Sequence, residues 1–282
     1  MCKLFSGKVL GFLGLIGLGL AAKPAVGADL VNIDLSGATI GNPIPTGPSG
    51  NPVTQYGFFG GFDSPLGTGL VQNVAGMGKA AVLTTNSTNT AVGSLYLDTS
   101  LAVTAPQMQL SFDIDILNQA ASGYGQTVNA GTTPLLFGMR LYSPSGGDWA
   151  TTFNVAPTSS TAGNFGFRNV NNTTLQNFGT YNVGDTNHVD IRVDYTTGTA
   201  NAYLNGVLAY SGYPLRGGIQ AAPTTSELFM YLNGSAGTAN SVAIGNLTLT
   251  TVPLPTSVYM GLGLLAIVGI MRCRGGKLLA SA

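Results

Sequence analysis

Two aspartates spaced two apart and a lone histidine are the residues best equipped for chemistry. Asp113 and Asp115 lie in Phe112-Asp113-Ile114-Asp115-Ile116, where period-two alternation puts both carboxyls on one face of a strand. A retaining glycosidase needs two carboxyls about 5 Å apart, one as nucleophile and one as acid. Glu227 is the only glutamate, so no glutamate pair can be built, and paired aspartates on a strand are ordinarily a solvated face. Any Ser-His-Asp relay would have to use His188, the only histidine. No Gly-x-Ser-x-Gly turn accompanies it. No cluster of His and Cys offers zinc ligands. Calcium needs about six to eight oxygens and no loop is rich in acids, which weighs against Ca²⁺, the one cofactor left open. The expectation is a non-enzymatic body with no catalytic residue and no metal ligand.

Glycan binding fits the residue types better. Sugars dock on aromatic faces, assisted by Asn, Asp and Gly in loops. Trp149, the only tryptophan, follows the loop-like run Ser143-Pro-Ser-Gly-Gly-Asp148 and is the candidate glycan contact. Tyr124 and Tyr213 also lie in Gly-rich segments. The alternative is that Trp149, sharing parity with Thr151 and Phe153, faces the core, as aromatic side chains mostly do.

Charge narrows the partners. Charged residues make up 8% of the 282, against about 25% in ordinary soluble domains. Aromatic content of 9% and hydrophobic content of 44% argue against disorder. The net charge of zero hides an asymmetry, because residues 29–251 hold five basic and eleven acidic side chains, a net of −6. A mildly acidic body with no basic stripe is a poor nucleic-acid binder. Both cysteines, Cys2 and Cys273, fall near the ends, so the body has neither disulfide nor thiolate chemistry.

The elements that position these residues read as strands. Leu110, Phe112, Ile114 and Ile116 alternate with polar residues, and so do Val189, Ile191, Val193 and Tyr195. Further strands are predicted over 31–35, 79–84, 94–98, 134–142, 149–155, 199–205, 207–211, 227–233 and 242–250. Asn205-Gly206 reads as a tight hairpin turn. A parity shift at Gly245-Asn246 predicts a β-bulge. Nothing before Val258 has helical periodicity. Many short strands with frequent turn signals imply one all-β sandwich or barrel over 29–251.

The run from His188 to Val207, His-Val-Asp-Ile-Arg-Val-Asp-Tyr-Thr-Thr-Gly-Thr-Ala-Asn-Ala-Tyr-Leu-Asn-Gly-Val, resembles the strand–turn–strand core of laminin-G and concanavalin-like jelly rolls. The resemblance implies a jelly-roll β-sandwich. That fold hosts lectins, glycosidases and adhesion modules alike. The glucanases among them use two glutamates flanking an aspartate, which this chain lacks.

Both ends read as targeting segments. Lys3 and Lys8, the apolar stretch 9–22 and the small residues Val26-Gly27-Ala28 fit a signal peptide over 1–28, with the mature chain starting at Asp29. At the other end come Val252, Pro253, Leu254 and Pro255, a 14-residue apolar run over 258–271, and the basic residues Arg272 and Arg274. As a helix the run spans roughly 21 Å, short of a hydrocarbon core of about 30 Å. Its position and basic stop nonetheless predict a short transmembrane helix, with 275–282 as a cytoplasmic tail. This three-part end, 252–274, resembles the PEP-CTERM sorting signal, with Leu254 where that motif has Glu. The resemblance implies an exosortase-like processing enzyme as partner. It also implies export, anchoring in the inner membrane by the C-terminus, and then the cell surface or extracellular matrix with exopolysaccharide. The expected function is a non-enzymatic surface or matrix protein. The alternatives are a lectin-like carbohydrate-binding module and, third, a divergent glycoside hydrolase or lyase.

Overall fold

Alternation in sequence becomes two-sided strands. The computed structural model describes residues 29–44, 67–87, 92–97, 106–125, 127–128, 133–142, 149–168, 174–215 and 227–252. The predicted signal peptide lies outside the described residues, as do Pro253, Leu254, Pro255, the apolar run, Arg272 and Arg274. Among the described residues no helix is long and apolar enough to cross a membrane. In chain order the strands are β1 (Asp29–Asn32), β2 (Gly67–Val74), β3 (Gly78–Thr85), β4 (Val92–Leu97), β5 (Gln107–Asn118), β6 (Thr127–Val128), β7 (Thr133–Pro134) and β8 (Phe137–Tyr142). They continue as β9 (Trp149–Pro157), β10 (Ala162–Arg168), β11 (Leu175–Asn182), β12 (Asn187–Asp194), β13 (Thr199–Leu204), β14 (Val207–Pro214), β15 (Glu227–Asn233) and β16 (Ser241–Thr251).

The fold is all-β and antiparallel. The larger sheet runs β14-β13-β12-β5-β16-β3-β2, with β1 also on β16, and the smaller runs β11-β10-β9-β8-β15-β4. This arrangement is consistent with a jelly-roll sandwich. The inner faces meet through aromatic side chains. Phe112 of the larger sheet meets Phe153 of the smaller edge-on, centroids 5.2 Å apart. Phe153 also touches Phe137, Phe165 and Phe178. The parity predicted for β5 and β12 holds. Met108, Leu110, Phe112, Ile114 and Ile116, with Val189, Ile191 and Val193, are all buried in the main core.

Three strands of the two main sheets, β2, β10 and β11, stand where no strand was predicted. Their Gly and Asn content hides them, and packing explains part of it. A Cβ at Gly163 would lie 2.4 Å from the Tyr181 hydroxyl, so the absent side chain lets that ring cross the strand. Gly138 of β8 has the same relation to Tyr231. The Asn205-Gly206 turn forms as predicted, with φ of 52° and 80° at the two residues.

The predicted bulge forms in β16 and splits one side of that strand between two partners. One edge of β16 pairs with β5 along nearly its whole length. Its other edge pairs with β3 over Ser241–Ile244 and with β1 over residues 248–250. The register slips between Gly245 and Thr248, and Asn246 takes a φ of 49°, which Asn tolerates better than most residues. Where β3 and β1 part company, a cavity of about 380 Å³ opens.

Candidate functional site on the outward face of the larger sheet

With the apolar residues of β5 and β12 turned inward, their polar residues share the outward face. Register sets their neighbours: Asp113 is opposite His188, Ser111 opposite Asp190, Gln109 opposite Arg192 and Gln107 opposite Asp194. His188 sits between three of them. Its Nδ1 is 2.7 Å from Asp113 Oδ1, its Nε2 is 3.2 Å from Ser111 Oγ, and Asp190 Oδ1 stands 3.5 Å from Nε2. The imidazole side chain is 44% exposed, against 17% for Asp113 and 14% for Asp190, so solvent reaches the ring more freely than its carboxylate partners.

The carboxylates are held in turn. Asn246, on the bulge, donates from Nδ2 to Asp113 Oδ2 at 2.6 Å. The Gln109 amide donates to Asp190 Oδ1 at 2.9 Å, and Gln107 donates to Asp194 Oδ2 at 2.8 Å. Burial works to raise the Asp194 pKa. Hydrogen bonds from Thr196, Gln107 and the Thr197 amide outweigh it and hold the carboxyl below its ordinary value. Arg192 lies over the Tyr203 ring of β13, 4.5 Å from its centroid, a cation–π contact that orients the guanidinium. Three carboxylates (Asp113, Asp190 and Asp194) against one guanidinium leave the face acidic.

This row is bounded by the β2–β3 hairpin. Thr186, just before β12, donates to the carbonyl of Ala75 in the hairpin turn at 3.2 Å. A Cβ at Gly245 would lie 3.0 Å from the Met77 methyl carbon. Val74, Ala80, Val82 and Ala243 form a small apolar cluster there, with Met77 and Leu117 packed on it. Asp115 lies at this end, 3% exposed, with Oδ1 unpartnered. Burial, and then repulsion from Asp185, raise its pKa against a hydrogen bond from the Gly184 amide. The cavity at the bulge is lined by Asp34, Ser36, Asn73, Met77, Lys79 and Asn246, among others. Lys79 donates to the carbonyls of Ser36 and Ala38 and so fixes one wall.

Other predicted features fall elsewhere. Trp149 opens β9 in the smaller sheet, paired with Tyr142, so it is not on this face; its side chain lies outside what the structure describes. Tyr124 and Tyr213 are buried at 8% and 5% exposure, and neither offers an open ring to a sugar. Tyr124 donates to the Ala120 carbonyl, and Tyr213 stacks on Phe167 with centroids 4.7 Å apart. Val252, where the sequence places the start of a sorting motif, donates its amide to the Gln107 carbonyl at 3.0 Å. Among the described residues no group of three or more His, Cys, Asp or Glu could hold a metal ion. The residues that sequence reasoning passed over are Ser111, Gln109, Asp190 and Asn246. Parity alone would have turned the first three to the His188 face.

No family model matches the chain. No curated protein matches it either. Solved structures do. A sialidase is similar with a TM-score of 0.48 and 12% identity over 69% of this chain, which spans only 16% of that protein. A carbohydrate esterase from the Shiga toxin-encoding bacteriophage phi24B has a TM-score of 0.46 and 14% identity, covering 68% of this chain and 90% of its own. A family 7 alginate lyase, A1-II', has a TM-score of 0.43 and 13% identity, covering 69% and 85%. The expectation of a non-enzymatic body is corrected here, since the structures this chain is similar to are mostly named as enzymes. Strand register brings together Ser, His and Asp side chains that are far apart in the chain, a grouping that no local motif reveals.

Proposed function

We propose that this chain is an exported protein, tethered at the cell envelope, whose jelly-roll body of the concanavalin and laminin-G kind engages a neutral polysaccharide on the outward face of its larger sheet. The observation that carries this reading is the row of half-exposed amide, hydroxyl, imidazole and guanidinium groups from Gln107 to Asp113 and from His188 to Asp194. Such groups meet sugar hydroxyls in both directions, because carboxylates accept while amides and guanidinium donate. The polar row runs beside a cavity whose volume falls in the range of small-molecule sites, about 300–1,000 Å³. Acidic charge on the face, within a body of net −6, disfavours polyanions such as polyuronates.

Affinity electrophoresis of the full chain in gels cast with neutral glucans or galactomannans tests the reading, with alginate as the charged control. Neutral gels should retard the protein and alginate should not. Arg192→Ala should weaken retention about tenfold, the effect of losing a charge-assisted contact of about 1.4 kcal/mol. No retardation in any neutral gel would end the proposal.

Export and tethering rest on the sequence of the two ends: the signal-like segment 1–28, and Val252-Pro253-Leu254-Pro255 with its apolar run and basic stop. An exosortase-like enzyme at the inner membrane is the partner this implies. Removing residues 252–282 should move the protein from the envelope fraction to the medium. Unchanged retention in cell fractions would refute the tether.

A further inference from the structure

We infer that Ser111, His188 and Asp113 form a nucleophilic relay that hydrolyses carboxylic esters, with O-acyl groups on the bound polysaccharide as the substrate class. The substrate, though not the chemistry, rests on the polysaccharide reading above. The arrangement meets the geometric conditions for such a relay: nucleophile bonded to base, and base bonded to an orienting carboxylate. His188 Nδ1–H donates to Asp113 Oδ1 at 2.7 Å, which leaves Nε2 as acceptor for the Ser111 hydroxyl at 3.2 Å. Asp113 is fixed from its other oxygen by Asn246, so the ring is oriented from two residues away. Gln109 holds Asp190 at 2.9 Å, against 3.5 Å from Asp190 to Nε2, which keeps that carboxylate from displacing the serine.

The chemistry balances with water as the only co-reactant. Ser111 Oγ bonds to the ester carbonyl carbon while its proton passes to His188 Nε2. The bond from that carbon to the sugar oxygen then breaks, and Nε2 returns the proton to the leaving alkoxide. Water adds to the acyl-serine, giving its proton to Nε2. The carbon–Oγ bond breaks, Oγ recovers the proton, and the carboxylic acid departs. The oxyanion needs donors aimed at it. Gln109 and Arg192, cross-strand partners one register step along the same face, present a guanidinium and the amide proton that Asp190 does not take.

The test uses the full chain, p-nitrophenyl acetate and a fluorophosphonate probe. The wild type should hydrolyse the ester, and the probe should label Ser111 by peptide mass spectrometry. Ser111→Ala and His188→Ala should each cut the rate at least about 100-fold, the usual share of a positioned base or nucleophile. Labelling of the wild type needs no variant to fold, and a label on another serine would overturn the relay. So would a wild type that binds neutral glycan yet neither reacts with the probe nor hydrolyses the ester. Hydrolysis without any glycan binding would instead sustain the relay and remove the polysaccharide as its substrate.

Discussion

Replacing Phe153 with alanine is expected to destabilise the body by about 3–5 kcal/mol, the range for a buried phenylalanine. Phe153 has no exposed surface and is where the two sheets meet. Its ring contacts Phe112 across the core and Phe137, Phe165 and Phe178 within its own layer. Four rigid rings cannot collapse into the space it leaves, so the cavity term is added to the transfer term in full. A domain of this kind is stable by about 5–15 kcal/mol, so the loss is a large share of the whole. Urea unfolding should show a lower midpoint with an unchanged slope. Phe153→Leu should recover most of the loss. A midpoint unchanged in the alanine variant would mean that the sheets do not pack through this ring.

Asn240→Ala should be nearly as costly, for a different reason. Asn240 is completely buried in the link between β15 and β16 and works as a polar hub. Its Oδ1 accepts from the Ala120 amide at 3.0 Å and from Ser235 Oγ at 3.2 Å, while its Nδ2 donates to the Asn233 carbonyl at 2.7 Å. Alanine strands the Ala120 N–H and the Asn233 C=O away from water. Each buried group left unpaired costs about 1–3 kcal/mol, so a loss of about 2–6 kcal/mol is expected from the pair. Thermal unfolding at fixed pH reads it directly. Asn240→Asp retains the acceptors but loses the donor and buries a charge, so it should not rescue. A loss below about 0.5 kcal/mol, the level of a surface substitution, would show that the hub is dispensable.

Much of the architecture was legible in sequence because alternation and turn chemistry are local. The inward sets of β5 and β12, the Asn205-Gly206 hairpin and the slip at Gly245-Asn246 all follow from neighbours in the chain. Strands β2, β10 and β11 were hidden because residues such as Gly163 and Gly166 have the composition of a loop, while their role is to admit Tyr181 and Leu175. The site was half visible. Parity turned Ser111, Asp113 and His188 outward. It could not say that Asp113 faces His188, since that register joins residues 75 positions apart. A one-residue slip would turn every outward side chain inward. The hydrophobic pattern that builds the core therefore also fixes the relay, yet neither strand alone contains it. Trp149 drew attention by type, and its place in the other layer could not be read without the strand order.

The sheet closes on its own ends. Strand β1 pairs with β16, and β5 at the centre waits for β12 on one side and β16 on the other. No partial chain lacking the last strand can seal the middle of this layer. Such distant pairing forms slowly, because the entropy of closing long loops is spent before the contacts are gained. The larger sheet therefore cannot close before β16 has been made, however early β5 and β12 are available.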